Sequence, residues 1–130
     1  MHRFQSITAM DILPKIFQVI IALGICNVWI IRFGRTTDWR GGGAKNMTEE
    51  FAAYGLPRWF MIVTGCLKLA LACLLIAALW VSWLAPIAGV GIAVLMLGAV
   101  LMHAKVRDPL KKSAPAAIML GLSLATALIS

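Results

Sequence analysis

Carboxylates are scarce in this chain: Asp11, Asp38, Glu49, Glu50 and Asp108 stand among 130 residues against twelve lysines and arginines. Charged residues of both signs make up 13% of the sequence and hydrophobic ones 62%, which leaves too little polar surface to clothe a soluble domain of this length. The three cysteines, Cys26, Cys66 and Cys73, form no CxxC pair, and no His, Cys and carboxylate cluster has metal-ligand spacing. They read as small apolar filler. No nucleophile is spaced with a base. The triplet Gly41, Gly42, Gly43 lacks the flanking strand and the Lys-Ser/Thr of a phosphate-binding loop, so it reads as a flexible hinge. The sequence therefore offers no catalytic residue, no metal ligand set and no indicated cofactor. The net charge of +7 does not imply nucleic acid, because the basic residues are not interleaved with exposed aromatics.

What the chain has in quantity is long apolar runs. Those at 12–31, 57–80, 85–104 and 114–130 are each long enough to cross a hydrocarbon core of about 30 Å. The expected fold is all-α: an integral membrane four-helix bundle in a single transmembrane domain, 1–130, with one basic loop, 32–56, carrying a short amphipathic helix. The first run is read as a retained span, since no small-residue cleavage site follows it. In the loop, residues 46–54 predict a helix capped by Asn46 or Thr48, with acids in its first turn and Gly55 closing it. Met47, Phe51 and Tyr54 fall on one face, which suits docking on the bundle or the membrane surface. Trp59 near one end of the second span, and Trp80 and Trp83 near the other, read as interfacial anchors.

Basic residues concentrate in the loops at 32–56 and 105–113, which places both loops in the cytoplasm of an inner-membrane protein; Arg3 and Lys15 beside the N-terminus compete. Packing between lipid-immersed helices favours small side chains. The four-residue repeat Ser113, Ala117, Gly121, Ala125 and the pair Gly91 and Gly98 are therefore expected to pack the helices on one another.

Lys68 is the most informative side chain. It lies eleven residues after Pro57, about 16 Å into the core. An ionised side chain there costs about 2.5–3.5 kcal/mol even on the lower scales, so a partner or a water-filled cavity is expected. The spans contain no carboxylate to pair with it, which argues against a small proton-coupled exporter. Thr64, four residues earlier, shares its face. With Asn27 in the first span and His103 at the end of the third, these are the candidate ligand-binding residues: Lys68, Thr64, His103 and Asn27.

Two stretches, 51–75 and 98–124, carry a family resemblance. Gly55, Leu56, Pro57 open the second span, Gly65 precedes Lys68 by three and Leu74, Leu75 follow, and His103 is trailed by the turn Arg107, Asp108, Pro109. In these features the chain resembles the DoxX-like family of four-span membrane proteins. The resemblance implies a compact four-helix bundle and an association with membrane redox systems, such as a subunit of archaeal thiosulfate:quinone oxidoreductase, or with receptor assembly and cargo handling. It supplies no catalytic residues, and many relatives carry Glu where Lys68 stands. The functional expectation is an accessory or assembly subunit of a larger membrane complex. The alternatives are a quinone- or lipid-binding subunit with a pocket around Lys68, and a small transporter. The expected partners are the lipid bilayer, another membrane protein or a second copy, and a quinone or lipid.

Overall fold

The computed structural model describes residues 9–35 and 40–130, with side chains from residue 12 onward. His2, Arg3 and Asp38, and the side chain of Asp11, lie outside the described residues. Helix α1 (Ala9–Cys26) runs into a π-helical turn (Asn27–Ile31); a 3-10 turn (Gly41–Gly43) precedes α2 (Met47–Ala53), α3 (Arg58–Ala77), α4 (Leu84–Lys105) and α5 (Leu110–Ile129). Among the described residues there is no strand. Four segments, Ile12–Ile31, Arg58–Ala77, Leu84–Lys105 and Leu110–Ile129, are long and apolar enough to cross a membrane. Helices α1, α3, α4 and α5 pack neighbour on neighbour in that order, and α5 closes the ring on α1.

The molecule is apolar outside, where Leu23, Ile30, Leu101 and Leu128 face outward, and carries Gln18, Arg40, Lys68, His103, Ser123 and Thr126 in its interior. A soluble protein with that outer surface would aggregate, whereas lipid solvates it. In lipid, helix ends need internal partners. Accordingly, Gln18 Nε2 on α1 donates to the Leu75 carbonyl near the end of α3 at 3.0 Å, and Lys15 Nζ donates to that of Leu79 at 3.1 Å.

Several boundaries have local causes. The last helix begins at Leu110, four residues ahead of the expected 114, directly after Pro109, whose ring fixes φ at −57° and which has no N–H of its own to satisfy. The expected boundary leaves Lys111 and Lys112 in the basic loop, whereas both lie in the first turn of α5. In α2, Asn46 accepts from the Glu49 N–H at 2.8 Å while Glu49 accepts from the Lys45 N–H at 3.1 Å. At its other end Gly55, at φ +78°, and Leu56 bond back to the Ala52 and Phe51 carbonyls. Both ends are thus satisfied by the residues the sequence put there.

The glycine triplet is a docked turn, not a hinge. Gly42 and Gly43 adopt positive φ, the Gly42 N–H donates to Asp108 at 3.1 Å, and a Cβ on Gly41 would collide with the Tyr54 hydroxyl. Cys66 and Cys73 face outward instead of filling the interior.

The bundle divides across its midplane. In the half away from the loops, Ile21, Ala72, Leu75, Ala78, Ala88 and Ile92 are buried to within 3% of completely. There α4 and α5 nearly touch: a Cβ on Gly89 would stand 2.9 Å from the Ser123 carbonyl oxygen. The expected stripe on α5 does not make this contact. Ala117 and Gly121 face outward, and a Cβ on Gly121 would meet nothing within 4 Å. The buried α5 positions are Ser123 and Thr126, whose hydroxyls bond the Met119 and Leu122 carbonyls of their own helix and so pack as small residues.

Candidate functional site

The other half of the bundle is hollow. A cavity of about 570 Å³ occupies it, a size typical of small-molecule sites. Its walls come from Gly24 to Arg32 of the first span, Phe60 to Lys68 of α3, Val94 to His103 of α4 and Lys112 to Met119 of α5. Each of these stretches lies between its helix's loop end and its middle, about 12–16 Å in at 1.5 Å per residue. The cavity therefore spans one half of the membrane-crossing length. Helix α2 covers it from the loop side through Met47, Glu50, Phe51 and Tyr54, and the packed half closes it below.

Lys68 reaches into this space from α3. The residue is 8% exposed, and its ammonium sits 5.4 Å from the centre of the Trp29 ring. Among the described residues it donates no hydrogen bond. Trp29 is presented by the π-helical turn, in which the Arg32 N–H reaches back five residues to the Asn27 carbonyl at 2.8 Å. Gly65 makes room for it: a Cβ there would stand 2.6 Å from the indole. Trp29 also meets Phe33 and Phe51 at centroid distances of 5.9 Å each, which fixes the ring from two sides.

The roof is polar and closely tied. The Arg40 guanidinium, 3% exposed, donates to Glu50 at 3.0 Å, to the Arg35 carbonyl at 2.9 Å and to the Arg32 carbonyl at 2.6 Å. Tyr54 donates its hydroxyl to the other Glu50 oxygen at 2.5 Å. Burial first, and then the hydrogen bond and charge of Glu50, hold the Tyr54 phenol well above its ordinary pKa, so it remains a donor. His103 Nδ1 lies 2.8 Å from Asp108, whose oxygens also take the Gly42 N–H. Lys105 and Lys112 donate to the Tyr54 and Arg40 carbonyls at 2.7 and 2.9 Å. These bonds sew the loop to the α4–α5 turn across the cavity mouth.

All four residues singled out from the sequence, Lys68, Thr64, His103 and Asn27, line this one cavity. His103 has its Nδ1 engaged by Asp108. The sequence reading missed Glu50, Arg40, Tyr54 and Trp29. It looked for a carboxylate only within the spans, where there is none to pair with Lys68, whereas α2 carries Glu50 into the wall of the same cavity. The signal was present: Met47, Glu50, Phe51 and Tyr54 follow the i, i+3, i+4, i+7 spacing of one helix face, so Glu50 belongs to the buried stripe. No such local pattern marks Arg40 or Trp29. Among the described residues, no group of three or more His, Cys, Asp and Glu side chains could hold a metal ion.

Comparison with known proteins gives the architecture a family. An uncharacterized protein, YdgD of Bacillus subtilis (strain 168), is 42% identical over 55 residues, which cover 42% of this chain and 48% of that protein. The chain thus spans about half the length of that relative. No solved structure matches it. The model of the DoxX-like family matches residues 39–126, more than half of the sequence, from the loop through α5. With four apolar helices around a loop-capped cavity, this chain belongs to the DoxX-like family.

Proposed function

We propose that this protein binds an amphiphilic small molecule, a lipid or a quinone, in the loop-side cavity, with an oxygen of the ligand's head at Lys68. The observation that carries the reading is the Lys68 ammonium: it is buried, faces a cavity of ligand size and has no hydrogen-bond acceptor among the described residues. An unmet buried charge is costly, and a ligand oxygen removes that cost. Thr64 lies on the same helix face, and Met47, Met96, Met102 and Met119 give the walls the adaptable thioether lining that accommodates varied apolar shapes. On this reading the basic loops face the cytoplasm of an inner membrane, and the ligand occupies the cytoplasmic leaflet's half of the bundle.

Native mass spectrometry of the protein released from its own membrane, beside Lys68→Met, tests this. Replacing an unpaired buried charge by an apolar side chain preserves the fold. A bound lipophile is expected on the wild type and absent from the variant. The same lipophile on both, or on neither, would overturn the proposal.

A second reading, an accessory or assembly subunit of a larger membrane complex, is favoured by α5, whose Ala117 and Gly121 point outward with room for a partner helix. It expects a protein partner retained equally by wild type and Lys68→Met. A transporter would need a path through the packed half, where Ile21, Leu75, Ala88 and Ile92 meet.

A further inference from the structure

We infer that the cavity selects an anionic amphiphile over neutral and cationic ones of the same tail. The inference rests on the proposed binding role and narrows it to a class of ligand.

The charges around the space decide the sign. Glu50 is the carboxylate in the cavity wall, and both of its oxygens are engaged, one by Arg40 at 3.0 Å and the other by Tyr54 at 2.5 Å. Turning toward Lys68 would break both bonds and strand the Arg40 guanidinium, so Glu50 is held away from the role of counterion. The His103 ring is matched by Asp108 at 2.8 Å. Once those pairs are set aside, the charged groups remaining in the wall are Lys68, Lys112 and Arg32, all cationic. Lys112 spends a donor on the Arg40 carbonyl, which leaves Lys68 as the deep positive centre.

The Lys68 ammonium lies over the Trp29 ring, 5.4 Å from its centroid, and Lys68 lines the cavity without a hydrogen-bond acceptor among the described residues. A cation held between an aromatic face and an apolar chamber is neutralised far better by an anion than by a dipole, because the interaction is made at low dielectric. The geometry also sets the shape. The chamber reaches toward the midplane as far as Gly24, Met119 and Leu95, so the tail has one leaflet's depth in which to lie. A carboxylate head and a phosphate head share the required chemistry.

The test is calorimetric titration of the purified full-length protein in nanodiscs of zwitterionic lipid, with empty discs subtracted, using dodecanoate, dodecyl phosphate, dodecanol and dodecyltrimethylammonium below their micelle concentrations. Either or both anions should bind at least about tenfold tighter than dodecanol, about 1.4 kcal/mol, and the ammonium should bind least. Dodecanoate ahead of dodecyl phosphate would mark a free carboxylate as the source, and the reverse order a phospholipid-type head. Lys68→Met should retain dodecanol binding and lose the preference, while Lys68→Arg should keep it. Equal binding of dodecanol and both anions by the wild type, or a preference unchanged in Lys68→Met, would overturn the anionic class and leave the pocket standing. No saturable binding by any of the four probes would overturn the class and the pocket together.

Discussion

Tyr54 is the single tyrosine of the chain, so its ionisation can be followed directly by phenolate absorbance. It is buried against Phe51 and His103, at centroid distances of 6.0 and 5.9 Å, and donates to Glu50. Burial, then the bond to Glu50, raises its pKa, so the folded protein should show no phenolate where free tyrosine is half ionised, near pH 10. The sign follows for stability. The fold keeps a proton that the unfolded chain gives up, so Tyr54's contribution is complete below the unfolded value and is lost as pH rises toward the folded one. Alkaline destabilisation should begin near pH 10. In Glu50→Gln the ionisation should move part of the way back, since burial remains. A wild-type phenol titrating at the ordinary value would mean that α2 does not cover the cavity. This cluster also shows why side-chain roles were only partly legible. Lys68 declares itself by being a charge in an apolar run, but Glu50 declares itself only when the loop is read as a helix with a buried face.

At the scale of the elements, helix existence was readable from apolar length, and α2 from its caps, because those signals are local. Helix pairing was not. A repeat of small residues every four positions states that one face of α5 is smooth, without stating what lies opposite. The face that meets α4 carries Ser123 and Thr126 instead, and the close approach is set by Gly89 on α4. The two faces can be told apart by substitution. Gly89→Val should force backbone against side chain and lower the stability by about 1–3 kcal/mol, the usual cost of overpacking. Gly121→Leu, placed where a Cβ meets nothing, should not lower the melting temperature of the isolated protein, since it also replaces a poor helix former. Circular dichroism melts in mild detergent measure both, and a destabilising Gly121→Leu beside a silent Gly89→Val would place the α4–α5 seam on the wrong face of α5.

For the whole molecule, the division into a packed half and a hollow half carries the functional argument. Half-length burial could not be read from composition, because it depends on what the loop brings down between the helices. Small residues such as Ala72, Ala85, Ala88 and Gly89 let the helices close at one end, while Trp29, Phe51 and α2 hold them apart at the other. A cavity kept open by large aromatic side chains is either a packing defect or a site, and the two predict opposite trade-offs. Gly98 on α4 lines the cavity, and a Cβ there would meet nothing within 4 Å. Gly98→Leu replaces a poor helix former and fills empty space, so stability should rise by about 1 kcal/mol. If the cavity is a site, the same substitution should remove the co-purifying lipophile and weaken dodecanoate binding by at least about tenfold. A variant that melts higher and still binds as the wild type would make the hollow half a defect of packing; one that gains stability as it loses its ligand would mean that the bundle keeps this space open for what it holds.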